Sequence, residues 1–539
     1  MNVLFIMTDQ QRADCLSCAG HPVLETPNMD RLAAEGTRFT NTFVQSAVCG
    51  PSRACFYTGR YVHSHNSRWN EVPLRFGEKT LGNYFEQAGR RAAVIGKTHT
   101  YAESSLPDFV TPYKESAPGT LNRIDSVGFE YITGGAACPA VGSHKYRNYL
   151  IGCGYNAEEL KVTSLGMHPA RDDKQAAGGD KFALLRSPSY VNAEHSEVHY
   201  LTDNAIQYMR ETDLPWFLHL SYFRPHHPNC APAPYNTMYK GADCPSPIRD
   251  ESELSHPLWD EFRKERIGTM FDDEKYCRDW RGVYYGLIRE IDDNLGRLFN
   301  FMDQSGLMDN TLIVFTSDHG EFAGDHWFRE KEMCHRASHQ VSCIIRHPDG
   351  PRGKLNHAFV ESVDIVPTCL DAAGLPASDR VQGRSLLGLL DGTVPANWRK
   401  ATHAEWTFEY YLTPTQMKLP PEKCRALIRR DENYLYAHFN GLPDLLFDLK
   451  KDPDELHNVA DTPAYKDIQA GLNREILDWI LESQDPHPLK WRRNWPYDTQ
   501  NGMRLDESVY TERHKQGGNC PCPRDDRSER ISKCRVTLP

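Results

Sequence analysis

Cys49-Gly50-Pro51-Ser52-Arg53, followed closely by Thr58-Gly59-Arg60, packs into one short segment several residue types that can do chemistry. A cysteine sulfur is nucleophilic or oxidisable where its surroundings stabilise the thiolate. Pro51 suits the first turn of a helix, where its missing N–H costs nothing. Cys49 then stands at a helix N-terminus, where backbone N–H groups and the helix dipole favour an anion. Arg53, one turn further in, reaches the same anion. Taken alone, a buried cysteine is a small apolar residue and an arginine is a surface charge. The pattern as a whole points to a centre that handles anions.

Two other segments carry ligand-type side chains. The apolar run NVLFIM leads into Thr8-Asp9-Gln10-Gln11, and LIVFTS leads into Asp318-His319-Gly320-Glu321. In an open parallel sheet, ligands sit beyond the carboxyl ends of the strands, so both clusters face one crevice. Asp9, Gln10, Asp318 and His319 offer oxygen and imidazole donors for one divalent cation. A single Asp at a strand end is an ordinary turn cap; two of them, each beside another ligand-type residue, point to a metal. Lys97 and His99 follow the apolar run AAVI two residues apart, and in an extended chain such residues share a face.

The elements that must position these groups are legible as alternating apolar runs and helical patterns. NVLFIM, RAAVIGK, PWFLHLSYF and NTLIVFTS read as strands. TPNMDRLAAEG, LGNYFEQAG, YYGLIREIDDNLGRLFNFMDQSG and SVDIVPTCLDAAGL read as helices. This alternation predicts an α/β fold with a large, mostly parallel sheet flanked by helices. The texture then changes. CRALIRRDENYLYAHF and DLLFDL, joined by NGLP, predict a small antiparallel sheet, with AYKDIQAGLNREILDWILES as its packing helix. The predicted boundaries are 1–394 for the catalytic domain, 395–485 for the small subdomain and 486–539 for an extended tail. That tail is too poor in aliphatic residues to make a core of its own, and reads either as a mobile extension or as an arm that contacts a neighbouring subunit.

Bulk composition excludes some classes. The 539 residues carry a net charge of −11 with no long Lys/Arg block, which argues against a nucleic-acid partner. No apolar run is long enough for a membrane span. The N-terminus lacks a basic segment and a small-residue cleavage site, so the expected location is cytoplasmic. The 16 cysteines show no repeated metal-type spacing and read mostly as reduced, structural thiols. Cys520, Cys522 and Cys534 lie in the polar tail. Residues 101–190 and 229–280 are long and unpatterned, as loops that shape a substrate pocket are. Tyr101, Phe109 and Tyr113 within them are candidates for an apolar subsite.

The Cys-x-Pro-Ser-Arg and Thr-Gly-Arg pattern resembles the signature of the type I sulfatases. The resemblance extends through TDQQRAD, TPNMDRLAAEG, GKTH, RPHHP, TSDHGE, DIVPTCLDAAGLP and LLFDLKKDPDELHN. It implies an alkaline-phosphatase-like fold. Cys49 would be oxidised to formylglycine by a formylglycine-generating enzyme. One divalent metal, Mn²⁺ or Ca²⁺, would be held by Asp9, Gln10, Asp318, His319 and the hydrated residue 49. By the same resemblance Lys97, His99, His226 and Lys331 carry catalysis and substrate binding, and His227 is a neighbour. Asn70, in SRWNEVPL, resembles an asparagine that lines the site in the phosphonate monoester hydrolase branch. Gln10 and the Asp318-His319 pair also resemble that branch, whereas Lys97-x-His99 is the sulfatase choice. The expectation is therefore an arylsulfatase-like hydrolase of small sulfate esters, working as a homodimer or homotetramer. Phosphonate monoester or phosphodiester hydrolysis at the same site is the alternative. A non-catalytic anion-binding scaffold is the rival from another class. A two-zinc phosphatase is disfavoured, because a second ligand set is not found and Ser or Thr would stand at position 49.

Overall fold

A computed structural model describes residues 1–70, 72–75, 78–100, 130–135, 144–161, 185–250, 256–265, 271–409 and 417–484. Tyr101, Phe109, Tyr113 and the 486–539 tail with its three cysteines lie outside the described residues. The eight-stranded sheet comprises β1 (Asn2–Asp9), β2 (Thr37–Phe43), β3 (Arg91–Lys97), β4 (Glu130–Gly135), β5 (Trp216–Pro225), β6 (Thr311–Ser317), β7 (Cys343–Arg346) and β8 (Lys354–Glu361). Their order across the sheet is β4-β3-β5-β1-β6-β7-β2-β8. Pairing is parallel except where β7 runs against β6 and β2.

β1 is buried along its whole length, as a central strand covered on both faces must be. The alternation of its side chains divides the core. Leu4 and Ile6 pack with Leu218, Leu220, Leu201, Ile288 and Ile291, under helices Glu197–Glu211 and Glu274–Gln304. Val3, Phe5 and Met7 pack with Phe56, Phe85 and Ile365, under helices Cys49–Thr58, Leu81–Gln87 and Ile365–Ala372. The mostly parallel α/β architecture expected from the sequence is present. The long helix starts ten residues before the apolar pattern that announces it. Asp273 caps it by accepting a hydrogen bond from the Tyr276 N–H at 3.2 Å, and the polar opening EKYCRDW hides that start.

The second sheet has strands β9 (Thr402–Thr407), β10 (Arg425–Arg430), β11 (Tyr434–Phe439) and β12 (Leu445–Asp448), in the order β12-β11-β10-β9, all antiparallel. The hairpin, the third strand and the packing helix (Lys466–Glu482) match the sequence reading; β9 is an addition to it. Leu472 and Ile476 of that helix pack on Tyr436 and Leu446. Trp406 of β9 meets Phe262 with ring centroids 5.8 Å apart, so the small sheet shares the large core. Among the described residues, no helix is long and apolar enough to cross a membrane.

Candidate functional site

β3, β5, β1 and β6 are successive parallel neighbours, so their carboxyl ends form one edge. Lys97 ends β3, Asp9 ends β1, Asp318 and His319 follow β6, and His226 follows β5. The helix Cys49–Thr58 presents its N-terminus to this edge, with Pro51 in its first turn. Gly50 is required at the close approach. A Cβ there would lie 2.9 Å from Asn70 Cα and 3.1 Å from the His99 carbonyl oxygen. Asn70 Oδ1 accepts the Gly50 N–H at 2.8 Å and fixes this helix end.

Cys49 Sγ lies 3.1 Å from His319 Nε2, 3.3 Å from Lys331 Nζ and 3.9 Å from Asp9 Oδ1. Potential ligand atoms of Asp9, Cys49, Asp318 and His319 all fall within 4.8 Å of one another, and the four residues are buried. His319 Nδ1 donates to the Gly320 carbonyl at 2.9 Å, which leaves Nε2 facing the cluster. Gln10 joins with φ 70°. Its N–H donates to Asp318 Oδ1 at 3.0 Å, and its carbonyl accepts the Tyr284 hydroxyl at 2.6 Å. Its Oε1 accepts from Lys331 Nζ at 3.0 Å, and its Nε2 donates to the Glu321 carboxylate.

Arg53 lies beneath the carboxylates. Nε donates to Asp318 Oδ2 at 2.8 Å, Nη2 to Asp9 Oδ2 at 3.1 Å, and Nη1 to the Lys97 carbonyl at 2.7 Å and Ser221 Oγ at 2.8 Å. The sequence reading aimed this guanidinium at the anion. The structure instead gives it to the ligand carboxylates, because the helix turns its side chain down toward the strand ends. Lys97 Nζ ion-pairs with Asp9. His99 reaches the centre by a different route from the extended one inferred from spacing: β3 ends at Lys97 and His99 takes φ 48°. His226 Nδ1 donates to the His227 carbonyl at 2.7 Å, and its Nε2 stands 3.2 Å from Lys331 Nζ. His227 lies beside His226 with ring centroids 4.0 Å apart and the planes tilted by 31°.

The electrostatics follow from burial and pairing. Burial pushes the Cys49 thiol up, but Lys331, Lys97 and His319 outweigh it and hold the thiol well below its usual range. Burial and the Cys49 charge oppose ionisation of Asp9, yet Lys97, His226 and Arg53 keep its carboxyl below the ordinary carboxylate range. Burial disfavours charge on His319, while Asp318 and Cys49 raise it. Burial likewise works against Lys331, but Cys49 and Asp9 hold its ammonium above the usual value. His226 and His99 are lowered, first by burial and then by Lys331 and Lys97 respectively.

Two carboxylates, one imidazole nitrogen and one amide oxygen, with Arg53 and Lys97 balancing charge behind them, fit a single divalent cation of mixed oxygen and nitrogen preference. Among the described residues this is the one cluster of acidic, His and Cys side chains with such spacing. Spacing did not assign Glu321, Tyr284 or Ser221 to the site. Glu321 stands in the quoted DHGE run, but the partner of its carboxylate is set by the fold. Tyr284 comes from a helix far along the chain and leaves no local signal.

Comparison with known proteins shows what the chain as a whole is similar to. Residues 1–375 match the family described as Sulfatase, and residues 324–482 match the C-terminal region of N-sulphoglucosamine sulphohydrolase. The multifunctional alkaline phosphatase superfamily protein PehA of Trinickia caryophylli is 35% identical, over 90% of this chain and 96% of its own. An arylsulfatase of Clostridium perfringens is 28% identical, over 90% and 95%. The crystal structure of the phosphonate monoester hydrolase of Agrobacterium radiobacter superposes with a TM-score of 0.79 at 29% identity, over 90% of this chain and 96% of that one.

Proposed function

The chain belongs to the sulfatase family of the alkaline phosphatase superfamily, and from that premise we propose that it hydrolyses small sulfate monoesters, arylsulfatase-like in their leaving group, at the Cys49 cluster. The observation that carries the reading is the cationic collar around position 49. Lys331 touches the sulfur at 3.3 Å, Lys97 is paired to Asp9, and His99 and His226 flank them. Lys97-x-His99 is the pairing that the resemblance assigns to sulfatases. When present, a Mn²⁺ or Ca²⁺ ion held by Asp9, Gln10, Asp318 and His319 supplies a Lewis acid, and residue 49, oxidised to formylglycine and hydrated, supplies two hydroxyls on one carbon.

The chain's own groups have separable tasks. The N-terminus of the Cys49–Thr58 helix receives the anionic head of the ester. Lys331 and Lys97 offset charge that grows on the sulfuryl oxygens. Arg53 holds the Asp9 and Asp318 carboxylates in place through Nη2 and Nε. His226, anchored through Nδ1, exchanges a proton at Nε2 with the departing oxygen. His99 serves as base in the return of residue 49 to its resting form. The formylglycine-generating enzyme as maturation partner, a cytoplasmic setting and a homodimer or homotetramer belong to the same proposal.

A second reading has its own support: PehA and two phosphonate monoester hydrolases are 29–35% identical to this chain across 90% of its length. Phosphonate monoesters carry one negative charge, as sulfate monoesters do, and suit the same collar. The deciding measurement is kcat/KM for an aryl sulfate against a phenyl phosphonate monoester, with purified protein whose Cys49 peptide shows the loss of about 18 Da that marks conversion. The sulfatase reading expects the aryl sulfate to be preferred. Preference for the phosphonate ester moves the chain to the other branch, and turnover of neither by converted, metal-loaded protein leaves an anion-binding scaffold.

A further inference from the structure

Gln10 is an unusual ligand to rely on. A glutamine amide presents an oxygen and an NH₂ of nearly the same shape, and only the oxygen suits a hard cation. Something must choose which of them faces the cluster. Glu321 is fully buried and follows the ligand pair Asp318-His319 by two positions. Three N–H groups converge on its two oxygens. Gln10 Nε2 donates to Oε2, while the Ala323 N–H at 2.9 Å and the Glu330 N–H donate to Oε1. With the Ala323 and Glu330 N–H groups already on its Oε1, the Glu321 carboxylate meets Gln10 at Oε2 as an acceptor, so it pairs with the NH₂ of Gln10 and turns the Gln10 Oε1 toward Lys331. The backbone of Gln10 is pinned independently by Asp318 Oδ1 and the Tyr284 hydroxyl. The amide rotation is therefore the freedom left for Glu321 to settle. The same carboxylate holds the loop just ahead of Lys331, whose Nζ lies 3.0 Å from the oxygen so presented.

We propose that Glu321 is a positioning residue that selects the Gln10 amide oxygen as a metal-facing donor and, through the Glu330 N–H, sets Lys331 against that oxygen. It rests on the metal-dependent reading of the site. The buried Gln10–Glu321–Lys331 chain of contacts carries it. A partner of this kind typically changes metal affinity by about 10–100-fold.

The test is metal affinity, read by calorimetry and by competition with a chelator, on full-length protein with unconverted Cys49, so that turnover plays no part. Mn²⁺ and Ca²⁺ are the probes. Glu321→Gln, which can donate as well as accept, is expected to weaken binding about 10–100-fold, and Glu321→Asp is expected to restore part of the loss. In a Gln10→Ala background, Glu321→Gln should have no further effect on affinity. After conversion, the variant should raise KM through Lys331 as well as lower kcat. Glu321→Gln binding metal within about twofold of wild type overturns the proposal, as does a full additional loss in the Gln10→Ala background. A fall in apo-protein Tm with metal affinity unchanged assigns Glu321 a merely structural role and also overturns it. Wild-type protein that binds neither ion sinks the metal reading itself, an outcome distinct from these.

Discussion

At position 49, a sulfur 3.1 Å from His319 Nε2 and 3.3 Å from Lys331 Nζ occupies the place where a nucleophile and a substrate anion would both be stabilised. A serine there would keep the collar and the metal donors but would offer one hydroxyl where the proposed formylglycine hydrate offers two. Attack on sulfur by that hydroxyl forms a sulfate ester, and no second hydroxyl is available on the same carbon to expel the sulfate. Cys49→Ser is therefore expected to release at most one equivalent of alcohol per chain, slowly, and to leave one sulfate ester on the protein. Pre-steady-state product counting with intact-protein mass spectrometry reads both. Sustained multiple turnover would remove the reason for an aldehyde at this position. At this scale the sequence was informative where function sits beside a strand end: Asp9, Asp318 and His319 could be read because an apolar run delivers each to the sheet edge. The partners of Arg53 were not legible. A guanidinium one turn into a helix can point at the helix's own N-terminus or at strands beneath it, and only the packing of the Cys49–Thr58 helix on the sheet decides.

The strands and helices that deliver these residues are joined by buried polar contacts as well as apolar ones. One such joint lies behind the His226 loop. Glu197 opens helix Glu197–Glu211, Glu290 sits inside helix Glu274–Gln304, and Arg224 lies near the end of β5. Arg224 donates to the Cys230 carbonyl at 2.8 Å, and Glu197 Oε1 accepts the Phe223 N–H at 3.3 Å. Burial pushes the Glu197 carboxyl up to about 8, against Arg224 and the Phe223 N–H and with help from Glu290, which burial lifts to about 7. In the unfolded chain such a carboxyl titrates near ~4.3. Below that value both states hold the proton and the contribution is fully present. As pH rises, the unfolded chain releases the proton while the folded one keeps it, so stability is lost up to the folded value of about 8. Glu197→Gln removes this dependence. The urea midpoint of the wild type should fall between about pH 5 and pH 8 by the equivalent of roughly 3–5 kcal/mol more than that of the variant; parallel falls would show that Glu197 does not retain its proton. Element boundaries show the same division between what is and is not legible. β1, β3, β5 and β6 were readable because central strands are continuous apolar runs. β2 (TRFTNTF), β7 and β8 (KLNHAFVE) were not singled out, since the first and last are mixed in polarity and β7 is only four residues long.

Across the molecule, the small sheet and its helix brace the segment that carries Cys49. Trp479 of helix Lys466–Glu482 packs with Cys55, Tyr61, Val62 and Val363. Its ring lies edge-on to Tyr61 at 5.1 Å and stacks on His403 of β9 at 4.7 Å. Tyr61 directly follows the Thr58-Gly59-Arg60 motif, and its hydroxyl donates to Glu361 at the end of β8 at 2.7 Å. Just beyond Trp479, the Ser483 carbonyl accepts the Ser64 hydroxyl at 3.1 Å. The small sheet and its helix thus share a core with the residues that precede them, and Met1–Ser483 form one compact unit. An exposed aliphatic pair, Leu477 and Leu481, lies on the other side of the same helix, so the buried side is what ties it down. Removing an indole of this kind without refilling the space costs about 3–5 kcal/mol. If the two parts form one cooperative unit, Trp479→Ala should lower the urea midpoint monitored at β-sheet circular dichroism and at tryptophan fluorescence by the same amount. Metal affinity at the Cys49 cluster should stay within about twofold, because Trp479 packs on Cys55 and Tyr61, toward the C-terminal end of the Cys49–Thr58 helix and away from Cys49. Two separated transitions in the wild type, or a variant whose midpoint matches the wild type, would show that the subdomain folds without this brace.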